Sequence, residues 1–289
     1  MASINLISFD PSVIGGKFLP HISQKIFNLL DTLTLARCRA VSSAWKTFVD
    51  TNTEFWNEVP IAVYLSTARR GRIDICQKIV KYGTHKNPSS QMGWTPLLFA
   101  ARNGFLNICQ LIINNIDDKN PADKSGDTPL HMAVQNGHLE ICKLIIDAVD
   151  NKNPANMYGA TPLHLAVFSG QVDICQLILE NIDDHNPANG SGITPMHIAA
   201  TNGADELCSL IAECVEDKNP PDELGMTPLH YAAKYSHPKV FGRIFNLVED
   251  KFPVNMWGKT PLDIAKQNGC EDIIQIIKSH NLTFNEEQD

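Results

Sequence analysis

The chain has 289 residues, of which 43% are hydrophobic, so it is long enough for one or two domains that bury a substantial core. Its net charge of −8 disfavours binding to the phosphates of nucleic acids. The sequence contains no apolar run long enough to cross a membrane, and its first residues lack the basic and apolar regions of a secretory signal. We therefore expect a chain that works in the cytoplasm, the nucleus or both, with neither nucleic acid nor membrane as a partner.

The N-terminal region differs from the rest of the chain in its pattern. Residues 1–17 show no periodicity and are expected to form a loose N-terminus. In residues 18–56, apolar side chains recur at helical spacing from Ile22 to Leu30 and again from Leu35 to Phe48. This pattern predicts two or three short amphipathic helices.

Residues 18–56 also contain apolar and aromatic residues in a recognisable order. The series comprises Leu19-Pro20, Ile26-Phe27, Leu35, Val41-Ser42 with Trp45, and Phe55-Trp56. It resembles the F-box, a three-helix module of roughly 40 residues that docks on the Skp adaptor of cullin-RING ubiquitin ligases. The segment departs from the family pattern in three ways. Pro20 to Ile26 is one residue short, Trp45 to Trp56 is one residue long, and no acidic residue closely follows Leu-Pro.

The resemblance implies a set of residues that contact the Skp adaptor, namely Leu19, Pro20, Ile26, Phe27, Leu35, Val41 and Trp45. A simpler interpretation remains open, in which residues 18–56 form a helical cap that covers the first of the repeats described next. In both interpretations, we expect the side chains of Trp45 and Trp56 to pack against other apolar residues.

Residues 57–285 are dominated by one motif that recurs every 33 residues. The copies are GWTPLLFAARNG from Gly93, GDTPLHMAVQNG from Gly126, GATPLHLAVFSG from Gly159, GITPMHIAATNG from Gly192, GMTPLHYAAKYS from Gly225 and GKTPLDIAKQNG from Gly258. A degenerate copy precedes them, in which residues 61–71 lack Thr-Pro but Cys76 keeps the period. Motif and period resemble the ankyrin repeat. The resemblance implies an all-α solenoid of about seven helix-turn-helix repeats with β-turn fingers, of which the first and the last are degenerate. Residues 286–289 form an acidic tail.

Each motif residue has an expected physical task. The first glycine permits a turn with positive φ, threonine caps the coming helix, and proline occupies the first helical turn, where a missing N–H is not needed. Leucine and alanine are expected to face the core, and the last glycine to end the first helix. The motif is therefore expected to build the stack of repeats.

Two further series share the 33-residue period. Equivalent positions in stacked helical repeats lie about 10 Å apart, too far for a disulfide or a shared zinc ion. We therefore expect the cysteines to be small core residues, and the family resemblance implies that the histidines make hydrogen bonds between repeats. The series are Cys76, Cys109, Cys142, Cys175 and Cys208, and His131, His164, His197 and His230.

No motif in the sequence predicts a catalytic site. It contains no glycine loop for phosphate followed by Lys-Ser/Thr, no Gly-x-Ser-x-Gly and no His-Glu-x-x-His. We therefore expect a chain that is not an enzyme and that uses neither a cofactor nor a metal.

The residues that determine which partner binds are expected at positions where the copies differ from one another. By resemblance to ankyrin repeats, these positions are the finger tips and the outer residues late in the first helix of each repeat. Large side chains at these positions are the predicted substrate-binding residues, since aromatic and methionine side chains supply much interface energy. They are Trp94, Arg102, Met157, Tyr158, Phe168, Leu224, Met226, Tyr235, Met256 and Trp257.

These features favour a substrate-recognition adaptor of an SCF-type ubiquitin ligase. The F-box-like segment is expected to hold the Skp adaptor, and through it the cullin scaffold, while the repeats hold a protein substrate. The alternative is a ubiquitin-independent ankyrin scaffold or inhibitor, including an effector directed at a host cell. In either case we expect the chain by itself to be a monomer.

Overall fold

The computed structural model describes Trp56 and residues 59–286, with side chains described as far as His280. Within this part of the chain, all regular elements are α-helices, and the 14 helices form seven pairs, as the sequence predicts. The pairs are α1 (Ile61–Arg69) with α2 (Ile73–Tyr82), α3 (Pro96–Arg102) with α4 (Leu106–Ile113), α5 (Pro129–Gln135) with α6 (Leu139–Ala148), α7 (Pro162–Phe168) with α8 (Val172–Leu179), α9 (Pro195–Asn202) with α10 (Asp205–Cys214), α11 (Pro228–Lys234) with α12 (Pro238–Leu247), and α13 (Pro261–Gln267) with α14 (Glu271–Glu286).

The chain divides into two compact units between Lys124 and Ser125. In the first unit, α1 packs against α3 and α2 packs against α4. In the second unit, the odd-numbered helices α5 to α13 pack in succession, and the even-numbered helices α6 to α14 form a second layer of the same kind. Each unit is thus a set of helix pairs, in which like helices are neighbours.

The Thr-Pro dipeptide begins the first helix of six pairs. At α9, Thr194 is the extended N-cap residue and Pro195 occupies the first turn. The Thr194 N–H donates to Nδ1 of His197 at 3.1 Å, and the threonine side chain accepts from the backbone of His197. This is a capping box in which histidine stands where glutamate is usual. In α13 the carboxylate of Asp263 accepts from the Thr260 N–H at 2.9 Å, so aspartate replaces histidine in the same role.

The four histidines also join neighbouring repeats, as the resemblance implies. Burial lowers the pKa of His164, His197 and His230, so these rings are neutral near pH 7. With Nδ1 accepting from threonine, Nε2 carries the proton and donates to a carbonyl in the following repeat. The Nε2–O distances are 3.2 Å from His131 to Ala160, 3.0 Å from His164 to Ile193, 3.0 Å from His197 to Met226 and 3.0 Å from His230 to Lys259.

The periodic cysteines lie in the core between the two helix layers. All five are fully buried, as predicted, and burial raises the pKa of their thiols to about 12. They are therefore protonated and serve as small apolar residues. Phe241 takes the same position in α12, where it is also fully buried and stacks on Phe245 with ring centroids 5.4 Å apart.

The turn glycines are required by both conformation and space. Gly159 has a φ of +73°, and a Cβ added there would lie 2.5 Å from the backbone nitrogen of Gly190. Ser236 is a departure at the end of α11, because it adopts a φ of +59° where most copies have glycine. Its Oγ lies 2.8 Å from Sγ of Cys270, so its side chain has a local partner.

Candidate protein-binding surface

An Asn-Pro dipeptide recurs at the base of the fingers, and its asparagine is hydrogen-bonded to the helix that follows. Oδ1 of Asn153 accepts from the N–H of Leu163 at 3.0 Å, and Asn186 accepts from Met196 at 3.1 Å in the same way. The asparagine therefore connects the base of a finger to the start of the helix that follows it. This hydrogen bond is also made by Asn87 and Asn219, and it gives a physical reason for the recurrence of asparagine at this position.

A second polar residue fixes the turn at the end of four successive fingers of the second unit. Oδ1 of Asn156 accepts from the N–H groups of Tyr158 and Ala160, at 3.0 and 3.1 Å. The same two bonds are made by Asn189, Asp222 and Asn255 in the next three fingers. The turns that carry the finger-tip side chains are therefore ordered by hydrogen bonds within the chain itself.

Adjacent fingers are also hydrogen-bonded through their backbones. The Gly190 N–H donates to the carbonyl of Tyr158 at 3.0 Å, and the Met256 N–H donates to the carbonyl of Leu224 at 3.0 Å. In the first unit, the Lys124 N–H donates to the carbonyl of Met92 at 3.1 Å. Such pre-ordered turns reduce the conformational entropy that a partner must restrict on binding.

Most of the predicted binding residues of the second unit are exposed, as expected. Phe168, at the end of α7, is 69% exposed, and Tyr158 on the preceding finger is 67% exposed. Large apolar side chains in such positions are common in protein interfaces. The other exposed members are Met157, Leu224, Tyr235, Met256 and Trp257.

The expectation that Met226 faces solvent is wrong. Its side chain is 6% exposed, and its sulfur accepts from Nδ2 of Asn255 at 3.2 Å. The residue after the turn glycine lies at the base of its finger, where the next finger covers it. Asp127 at the equivalent position is likewise bonded to Nδ2 of Asn156, at 2.9 Å.

In the first unit, the predicted pair Trp94 and Arg102 packs within its own repeat. Trp94 is only half-buried, and its ring lies against Phe99 with centroids 4.7 Å apart. The guanidinium of Arg102 lies 5.5 Å from the centre of the Trp94 ring and is exposed. Arg102 therefore covers part of the tryptophan, which is less available than its finger position suggested.

Tyr231 is a residue that the sequence analysis missed. Its hydroxyl donates to Oδ2 of Asp222 at 2.8 Å, and its ring stacks on Tyr235 with centroids 6.4 Å apart. Burial and this carboxylate raise the pKa of Tyr231, which keeps its hydroxyl protonated. Tyr231 thus links a finger to the exposed Tyr235. Tyrosine in a first-helix position that holds Phe, Met, Leu or Ile in the other Thr-Pro copies was the available signal.

A groove on another part of the second unit was also missed. It has a volume of about 770 Å³ and is lined by acidic side chains of two loops together with the exposed Leu247 and Val254. No groove was predicted here from the sequence. The signal was Val254, which follows proline where three other copies have alanine.

No group of three or more histidine, cysteine, aspartate or glutamate side chains in the described part of the chain is arranged to hold a metal ion. Among the same residues, no helix combines the length and the apolar character that a membrane span requires. The predicted adaptor-binding residues, Leu19 to Trp45, lie outside the described residues.

Comparison with known families gives two matches. A model described as "Ankyrin repeats (3 copies)" matches residues 61–156, 117–189, 182–246 and 217–288. A model described as "F-box-like" matches residues 20–61, which include all the predicted adaptor-binding residues except Leu19. No curated protein matches the chain.

Proposed function

The chain belongs to the ankyrin-repeat family and carries an F-box-like domain at residues 20–61, and from this premise we propose that it is a substrate-recognition adaptor of an SCF-type cullin-RING ubiquitin ligase. The F-box-like domain binds the Skp adaptor, which connects the chain to the cullin scaffold. The ankyrin repeats bind the protein substrate. The proposed site of action is the cytoplasm, the nucleus or both.

The observation that carries the proposal is the presence of two binding modules in one chain. The F-box-like match ends at residue 61, where the ankyrin match begins. The ordered fingers and exposed aromatic side chains of the second unit support a protein as the ligand of the repeats.

The proposed mechanism is proximity rather than bond chemistry. A substrate held by the repeats is kept near the charged ubiquitin-conjugating enzyme, so its lysines encounter that enzyme at a high effective concentration. The periodic cysteines have no part in this mechanism, because their buried thiols are protonated near pH 7. We propose that the chain itself is not an enzyme.

Binding of the purified chain to the Skp adaptor tests the proposal. We expect association, and we expect Ile26→Ala with Phe27→Ala to weaken it at least about tenfold, because apolar anchors each contribute 1 kcal/mol or more. Gln24→Ala with Lys25→Ala changes the adjacent polar residues and serves as the matched control. Absence of association, or equal binding by the Ile26/Phe27 variant, would contradict the proposal.

A second function, an ankyrin scaffold whose N-terminal segment only caps the repeats, is favoured by Trp56. This side chain is 3% exposed and, with Tyr64, lines a small cavity of about 280 Å³ beside α1 and α2. If capping is its whole task, removal of residues 1–56 will lower the melting temperature but leave partner binding intact. The full chain, with residues 1–56 present, will then show no affinity for the Skp adaptor.

A further inference from the structure

One pocket of the second unit combines apolar and cationic side chains. It has a volume of about 420 Å³ and is lined by residues of the last finger and of the C-terminal ends of α11 and α13. Met226, Ile264 and Trp257 provide its apolar surface, and Lys234 and Lys259 provide its charge. We call it the lysine–tryptophan pocket.

The two lysines are held by neutral groups. Nζ of Lys259 donates to Oε1 of Gln267 at 2.7 Å. Nζ of Lys234 lies 5.3 Å from the ring centre of Tyr235 and 5.9 Å from that of Tyr231. Within the described residues, neither ammonium forms an ion pair with a carboxylate. The pocket lining therefore contains two lysines and no carboxylate, in a chain whose net charge is −8.

Two carboxylates of the neighbouring finger and one of α13 have other partners or lie outside the pocket. Asp222 is buried, and its two oxygens accept from the N–H groups of Leu224 and Met226 and from the hydroxyl of Tyr231. Oδ2 of Asp263 accepts from the N–H and the hydroxyl of Thr260. Glu223 is exposed on the neighbouring finger and does not line the pocket. Asp263 also interacts electrostatically with Lys266 and Lys259 and so offsets part of the charge of Lys259. None of the three carboxylates lines the pocket.

We infer that the lysine–tryptophan pocket receives an acidic segment of the protein substrate, in which a carboxylate stands beside an apolar side chain. A carboxylate in the pocket can accept a charge-assisted hydrogen bond from a lysine and is attracted by the charge of both, and the apolar neighbour can cover the exposed ring of Trp257. A basic segment is repelled by the same lysines. This inference rests on the proposed function, because it assigns the chemistry of the substrate that the repeats bind.

Three synthetic nine-residue peptides test the inference against the full chain. They are GELEGELEG, its glutamine analogue GQLQGQLQG and its lysine analogue GKLKGKLKG. We expect the glutamate peptide to bind at least about fivefold tighter than the glutamine peptide at about 50 mM salt, with a smaller ratio at about 300 mM, because exposed charges are screened. The indole N–H resonance of Trp257 should shift on addition of the glutamate peptide. The lysine peptide should have the weakest affinity for the lysine–tryptophan pocket, as measured by the same indole resonance.

Two double variants with equal net charge show whether the pocket or the charge of the whole surface causes the preference for the glutamate peptide. Lys234→Gln with Lys259→Gln should abolish the preference for glutamate over glutamine. Lys124→Gln with Lys266→Gln removes the same charge from exposed lysines that do not line the pocket, and should retain the preference. Trp257→Ala should weaken binding of both the glutamate and the glutamine peptides.

Equal binding of the glutamate and glutamine peptides, or equal loss in both double variants, would overturn the inference. The experiment uses no Skp adaptor, so the two proposals fail separately. Loss of peptide preference with adaptor binding intact contradicts only the inference. Absence of adaptor binding with the preference intact contradicts only the ligase role.

Discussion

Two phenylalanines differ from the residues at the same position in other copies of the repeat. One lies in the interior of a helix pair, and the other lies on the surface formed by the fingers and helix ends. Phe241 takes the cysteine position of α12 and is fully buried, whereas Phe168 ends α7 and is 69% exposed. Both depart from their counterparts in other copies, yet only one is available to a partner. A departure from the repeat therefore marks a binding residue only where the position itself faces solvent. Met226, which departs from the repeat at a covered position, supports the same conclusion.

Truncation of the two phenylalanines should give the largest contrast in stability. Phe241→Ala leaves a cavity beside Phe245 and should lower the free energy of unfolding by about 3–5 kcal/mol. Phe168→Ala removes an exposed ring and should change it by no more than about 0.5 kcal/mol. Chemical denaturation of both variants measures the difference. Similar losses would show that the two regions are not distinct.

The turn glycines should give the next largest effect and separate crowded from open turns. Gly159→Ala meets the backbone of the next finger and should cost about 2–3 kcal/mol. Gly258→Ala has nothing within 4 Å of the added Cβ and should cost only about 1 kcal/mol, from its φ of +67°. Melting temperatures of the two variants provide the comparison. A cost as large at Gly258 would mean that backbone strain, and not finger packing, sets the requirement.

The buried histidines should make the interior sensitive to acid. Their pKa is lowered in the folded state, so their contribution to stability is complete above the unfolded pKa, about 6.5, and is lost as the pH falls below it towards the folded pKa. The melting temperature should therefore fall between about pH 7 and pH 5.5.

His197→Gln separates this effect from general acid denaturation. It should lower stability at neutral pH by about 1–3 kcal/mol, because it disturbs a buried hydrogen-bond network, and it should reduce the slope below pH 6.5. His85→Gln changes an exposed histidine and is the control. An unchanged slope in the His197 variant would rule out the buried ring as a source of acid sensitivity.

The smallest effect on stability is expected at the finger surface, together with a clear effect on binding. Tyr158→Ala with Phe168→Ala should leave the melting temperature nearly unchanged but weaken the protein partner by about 1–3 kcal/mol. Calorimetry of folding and titration with the partner measure the two quantities. A large loss of stability would instead assign these side chains to the core.

The sequence predicted the fold in detail because periodicity repeats each local signal. Thr-Pro, the turn glycine and the buried cysteine each occur several times, so chance matches are unimportant. The candidate surface was predicted less completely, because exposure depends on what the next repeat places above a residue. Met226 is covered by Asn255 of the next repeat, a contact that has no signal within a single copy. Arg102 and Trp94 lie in the same copy, but the motif alone does not show that their side chains meet in the folded repeat. The pairing of Lys234 with Lys259 in one pocket likewise depends on contacts between repeats.

The central claim is that one chain holds a ligase adaptor and a protein substrate through separate surfaces. Quantitative affinity purification from cells, with the wild-type chain, the Ile26→Ala/Phe27→Ala variant and the Tyr158→Ala/Phe168→Ala variant, tests it most directly. The first variant should lose the Skp adaptor and the cullin but retain the remaining partners. The second should retain the adaptor and the cullin but lose one or more of the other proteins. Loss of the same partners in both variants, or absence of the adaptor from the wild-type complex, would contradict the claim.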